Sequence, residues 1–115
     1  MTPEEVVRAK LNAWATLDAN NVLAHFSDDA VVVDPMGTYR GLAEIRRTVE
    51  GYIKRMDRAD LQVLSVAVNG GLVMVERIDR FVYDGRNVSA RCMGAFEVVD
   101  GKITAWRDYF DVPNQ

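Results

Sequence analysis

The sequence predicts an α+β fold in which N-terminal helices pack into the concave side of a strongly curved, mostly antiparallel sheet. Three observations carry this. Apolar residues recur at helical spacing in the first half of the chain (Val7, Leu11, Trp14, Leu17, then Leu42, Ile45, Val49). From Leu61 onward, β-branched and aromatic residues alternate with polar ones. Three turn signals, Asn69-Gly70-Gly71, Asp84-Gly85 and Asp100-Gly101, divide that second half into strands. Helices followed by long hairpins make a twisted cone, open at one end, and apolar concavities with a few polar groups favour small molecules.

In order, Thr2-Pro3-Glu4-Glu5 reads as a helix start: a threonine cap, proline at the first position, glutamate three after the cap. Apolar spacing carries that helix to about Asp18. Trp14 reads as core first and as a candidate pocket wall second. Ala19-Asn20-Asn21 breaks the pattern, and a short helix follows through Val22, Leu23 and Phe26. Ser27-Asp28-Asp29 reads as a turn, Ala30 to Asp34 as a strand, and Pro35 to Gly41 as a loop. A further helix runs from about Leu42 to Met56, with Arg46, Arg47, Lys54, Arg55 and Arg58 as its solvated face. Gly51 weakens it mildly. Leu61 to Val68 is the next strand.

The central run begins at Val73. Side chains two apart on a strand share a face, so Val75, Arg77, Asp79 and Phe81 point one way while Glu76, Ile78 and Arg80 point the other. A two-residue turn at Asp84-Gly85 puts Phe81 opposite Val88, Asp79 opposite Ala90, Arg77 opposite Cys92 and Val75 opposite Gly94. All four partners are small or apolar, so Arg77 and Asp79 face an apolar concavity. The Asp100-Gly101 hairpin is ambiguous. A two-residue turn sends Asp108 to the outer face, opposite Met93. A three-residue loop with a bulge pairs Gly94 with Trp106 and Cys92 with Asp108, on the inner face. The bulged register is expected, because it gathers Arg77, Asp79 and Asp108 on three adjacent strands.

The 115 residues suit a single domain (1–115), and 49% hydrophobic content excludes a disordered chain. A net charge of −3 without a basic stripe argues against nucleic acid. Cys92 is the one cysteine and reads as a buried structural thiol; His25, the one histidine, reads as a surface or boundary residue. No metal site is expected. Nothing resembles a signal peptide or membrane span, so a cytoplasmic protein with no membrane partner is expected.

Glu76-Arg77-Ile78-Asp79, Gly94-Ala95-Phe96-Glu97-Val98, Asp100-Gly101-Lys102-Ile103 and Trp106-Arg107-Asp108-Tyr109-Phe110-Asp111 together resemble the limonene-1,2-epoxide hydrolase family. That family shares a cystatin-like α+β cone with ketosteroid isomerase, scytalone dehydratase and small, SnoaL-like polyketide cyclases. The resemblance is specific over residues 75–111 and fold-level before them. It implies that Asp108 activates water, Asp79 protonates the epoxide oxygen, Arg77 bridges the two, and Trp106 helps wall the pocket; Phe81, Cys92, Met36 and Tyr39 are further candidates for its lining. It implies no cofactor, a small apolar substrate and a homodimer through the outer sheet face, where Ile78, Met93 and Ala95 lie. The chemistry is coherent by itself: one-step opening of an epoxide needs a base at the water and an acid at the oxygen. Two carboxylates in one poorly hydrated pocket favour a single shared proton, and an arginine can hold both.

The chain also departs from the family. The tyrosine and asparagine that hold its water on the early strand are replaced by Val32-Val33-Asp34-Pro35-Met36. That stretch resembles the ketosteroid isomerase segment whose aspartate before proline shuttles a proton, which would make Asp34 a base. The oxyanion-hole partners of that enzyme fall at about Lys10 and at Gly94, leaving an enolate without them. A three-carboxylate pocket of Asp34, Asp79 and Asp108 serving a related hydrolase, polyketide cyclase or dehydratase, a structural Arg77–Asp79 pair with Asp108 outside, an Asp34 that only caps its turn, and a non-catalytic small-molecule-binding dimer are the remaining readings.

Overall fold

The structure, a computed structural model, describes residues 1–112. The capping box forms as the sequence implies: Thr2 Oγ1 accepts from the Glu5 amide at 3.1 Å, and Glu5 Oε1 accepts from the Thr2 amide at 2.7 Å. Helix α1 spans Pro3–Ala13 and gives way to a 3₁₀ turn, Trp14–Thr16. It stops short of Asp18 because Leu17 turns left-handed (φ 52°) and Asp18 caps a new helix, α2 (Ala19–Leu23), accepting from the Asn20 amide at 2.8 Å. The apolar spacing ran on past the helix because Trp14 is buried all the same.

Strand β1 covers Phe26–Asp34, so Ser27-Asp28-Asp29 is strand and not turn. Its pairing with the last strand shifts between Phe26 and Val31, a bulge that the polar triplet occupies. The expected loop to Gly41 is instead a hairpin into β2 (Gly37–Arg40). Asp34 makes it, its Oδ1 accepting from the amides of Met36 (2.8 Å) and Gly37 (3.1 Å). Helix α3 (Leu42–Ile53) ends before Met56, which opens strand β3 (Met56–Asn69). Strands β4 (Leu72–Tyr83), β5 (Arg86–Val99) and β6 (Lys102–Tyr109) complete a sheet of order β2-β1-β6-β5-β4-β3. Every neighbouring pair is antiparallel except β1 and β6.

The β4–β5 hairpin has the expected register, with Arg77 opposite Cys92 and Asp79 opposite Ala90. The β5–β6 hairpin corrects the expected one. Its turn has two residues, Asp100 and Gly101, both left-handed (φ 50° and 76°), and Val99 pairs with Lys102. The bulge lies further along, where Thr104 is the extra residue between the Val98–Ile103 and Glu97–Ala105 pairs. Phe96 therefore faces Trp106, and Gly94 faces Asp108. The expected partners were each two residues away. Since side chains repeat every two residues, that slip leaves Asp108 on the inner face.

One core joins the helices to the concave face, with Val7, Leu11, Trp14, Val22, Ile45 and Val49 meeting Val32, Val73, Val75, Phe96, Ile103 and Trp106. No described helix is long and apolar enough to cross a membrane.

Candidate active site

Three neighbouring strands build the site. Arg77 and Asp79 lie on β4 and Asp108 on β6, with β5 between them. Arg77 is 1% exposed and its guanidinium meets both acids. Nε donates to Asp79 Oδ1 at 2.7 Å and Nη2 to Asp79 Oδ2 at 3.2 Å; Nη2 also donates to Asp108 Oδ2 at 2.6 Å. The reach across β5 depends on Gly94. A Cβ there would lie 2.5 Å from Arg77 Nη1 and 2.8 Å from Asp108 Oδ1, inside any tolerable contact. No other residue leaves that gap open.

Trp106 holds the far oxygen of the same carboxylate, Nε1 donating to Asp108 Oδ1 at 2.7 Å. The indole is itself fixed, stacked on Phe96 (centroids 5.8 Å apart, planes 11° apart) and met edge-on by Phe26 at 6.2 Å. Each oxygen of Asp108 thus accepts one hydrogen bond, and each keeps a lone pair for a further donor such as water.

Burial by itself would lower the Arg77 guanidinium, but the Asp108 and Asp79 carboxylates outweigh it and leave Arg77 above its ordinary value. Arg77 is a fixed cation whatever the pH of the solvent. Burial, then Asp108, push the Cys92 thiol up to about 12, so Cys92 is an inert wall behind Arg77.

Lys10, which the sequence offers only as the counterpart of the isomerase's oxyanion-hole tyrosine, joins the site. It is fully buried and lies against the faces of Trp106, Phe96 and Trp14, its Nζ 3.0 Å, 5.3 Å and 5.6 Å from the ring centres. Burial pushes its amine well below the ordinary 10.5, aided by Arg77 and opposed by Asp108 and Asp79. The signal was there: Lys10 falls three residues after Val7 and one before Leu11, on the apolar stripe of α1.

The remaining candidates divide. Trp106, Cys92 and Trp14 are buried beside the trio or Lys10, and Phe81 and Tyr39 pack partly buried against the same core. Met36 does not: at 53% exposure it sits on the outside of the β1–β2 turn, whose two residues cannot fold back under the sheet. Asp34 is committed to its own turn, and no hydrogen bond or ion pair among the described residues ties it to the trio. Nor do the described residues contain a cluster of three or more His, Cys, Asp or Glu that could hold a metal ion. Two shallow surface hollows, one around Thr16, Asp18, Arg46 and Glu50 and one around Gly71, Glu97 and Val99, include none of these side chains.

Residues 1–114 match the family described as limonene-1,2-epoxide hydrolase catalytic domain. Epoxide hydrolase EphG of Mycobacterium tuberculosis (strain ATCC 25618 / H37Rv) is 34% identical over 111 residues, covering 92% of this chain and 71% of that protein. A solved M. tuberculosis epoxide hydrolase of the same limonene type superposes with a TM-score of 0.85 at 31% identity, over 95% of this chain and 82% of the other. A Catenulispora acidiphila protein with a ketosteroid isomerase-like fold also reaches 0.85, at 21% identity over 97% and 88% of the two chains, and shares the fold alone.

Proposed function

The chain belongs to the limonene-1,2-epoxide hydrolase family, and from that premise we propose that it opens a small apolar epoxide to a diol by one-step general acid–base attack of water. Asp108 is the base, Asp79 the acid and Arg77 the bridge. The observation that carries this reading is the single guanidinium hydrogen-bonded to two carboxylates, 2.7 Å from Asp79 and 2.6 Å from Asp108, on the inner face of the sheet.

The chemistry follows from the hydrogen bonds. Water held by Asp108 gives up one proton to it as the oxygen attacks a ring carbon. The ring C–O bond breaks, and Asp79 delivers its proton to the departing oxygen. The negative charge moves from Asp108 to Asp79, and Arg77 contacts both ends of that shift, so its position need not change between ground and transition states. Each proton transfer supplies on the order of 10²–10⁴-fold, and the fixed trio adds the advantage of orientation. The reaction needs no cofactor. The apolar residues around the trio suit a hydrocarbon body on the epoxide.

An isomerase built on Asp34 gains no observation in its favour: one oxygen of that carboxylate holds two amides of its own turn, and among the described residues no hydrogen bond or ion pair ties it to Arg77, Asp79 or Asp108. A homodimer through the outer sheet face is consistent with exposed Met74, Met93 and Tyr109, the last two directly opposite each other on β5 and β6; sedimentation velocity tests it.

The experiment for the activity is a panel of small cyclic and terpenoid epoxides assayed for diol. Turnover of at least one apolar member is expected. Binding of such epoxides without any diol would leave a non-catalytic pocket as the better account.

A further inference from the structure

The mechanism so far leaves two buried, unpartnered polar groups unused: Trp14 Nε1, which can only donate, and Lys10 Nζ. Among the described residues Lys10 Nζ has no hydrogen-bond partner, and the nearest of the three rings around it is Trp106, whose centre lies 3.0 Å away. The edge of that same indole is hydrogen-bonded to Asp108. Amine and base therefore flank one ring, and among the acids Asp108 acts most strongly on Lys10.

An attacking water needs more than a base. With only one hydrogen held, it is free to swing about that bond. With both held by acceptors, its lone pairs point away from them, toward the substrate. Few acceptors remain near Asp108. Arg77 and Trp106 only donate, Asp79 is taken up with the epoxide oxygen in this reading, and Cys92 stays a thiol. Lys10 is the group left.

We propose that Lys10 is a catalytic group of this pocket, its ε-nitrogen accepting the second hydrogen of the attacking water while Asp108 accepts the first. This rests on the hydrolase reading above. The groups facing the amine are Asp108, Asp79, Arg77 and Cys92; burial and Arg77 favour the free base, and the two acids oppose them. The free base has the one lone pair that the role requires, and an ammonium has none. The step balances. The proton leaving water goes to Asp108, the ring oxygen takes one from Asp79, and the O–H held by Lys10 stays on the new hydroxyl. Lys10 ends the cycle as it began.

The test combines kinetics with a direct reading of the amine. Lys10→Met keeps the length and apolar contacts of the stem and removes the acceptor. Its kcat on an epoxide that the wild type turns over is expected to fall by at least about tenfold at pH 8, with KM little changed. Lys10→Gln, which restores an acceptor oxygen, is expected to recover part of that loss. In wild-type protein carrying ε-13C lysine, one of the three lysines is expected to show a free-amine shift at pH 8, and Lys10→Met to lack it. An ammonium shift for all three at pH 8 overturns the proposal whether or not the variants fold. So does full activity in Lys10→Met while Asp108→Asn is dead. Activity surviving in Asp108→Asn would instead remove the hydrolase reading itself.

Discussion

Arg77 reaches across an entire strand to Asp108, Nη2 to Oδ2 at 2.6 Å, over the bare backbone of Gly94. Asp79, Arg77 and Asp108 are thereby one hydrogen-bonded unit although β4 and β6 are not neighbours in the sheet.

Gly94→Ala puts a methyl group where Arg77 Nη1 and Asp108 Oδ1 now approach. Overpacking of this kind costs about 1–3 kcal/mol. A lower melting temperature and a kcat reduced more than tenfold are expected. Wild-type kinetics in a folded Gly94→Ala protein would show that the bridge tolerates a gap.

Trp106→Phe retains a ring to stack on Phe96 but takes away the hydrogen bond to Asp108 Oδ1. With Asp108 as the proposed base, loss of one of its donors is expected to lower kcat by about tenfold or more, with thermal stability changed far less. Equal losses of activity and stability would mean that the indole serves packing alone.

Burial holds the Lys10 amine below its ordinary value in the folded chain, so between the folded and unfolded values the unfolded chain binds the extra proton. Where the pH lies above the folded-state value, stability should therefore rise with pH up to about 8.5, by at most about 1.4 kcal/mol per pH unit from this group. Above about pH 8.5 the raised Cys92 thiol works the other way, because the unfolded chain then loses its proton first. Urea melts at several pH values are expected to show the rise in wild type and a flat line in Lys10→Met. A rise of the same slope in both proteins would assign it to another group.

Water attack in one step leaves no bond between substrate and enzyme. In a single turnover in H2-18O, the first diol released is expected to carry the label. An unlabelled first product, with label later found in Asp108, would mean a covalent ester instead.

The sequence disclosed much of this site because Asp84-Gly85 pins the β4–β5 register, and with it the faces of Arg77 and Asp79. Asp108 was less secure. Its face depends on an extra residue somewhere in the β5–β6 hairpin, and nothing about Thr104 marks it as that residue. Placing the bulge in the loop reached the correct face by way of the wrong partners. Lys10 was hidden for a different reason: a lysine on an apolar stripe is ordinarily expected to snorkel to water, and only the walls of Trp14, Phe96 and Trp106 show that it does not. The polar Ser27-Asp28-Asp29 looked like a turn because a bulged strand also tolerates such residues.

Diol formation by Asp79→Asn and Asp108→Asn, read as kcat/KM beside wild type, tests the acid–base assignment most directly. Both substitutions keep the side-chain shape and remove the acid or the base. Each is expected to lose about 10²-fold or more while still folding. Turnover near the wild-type rate in either variant would contradict the account.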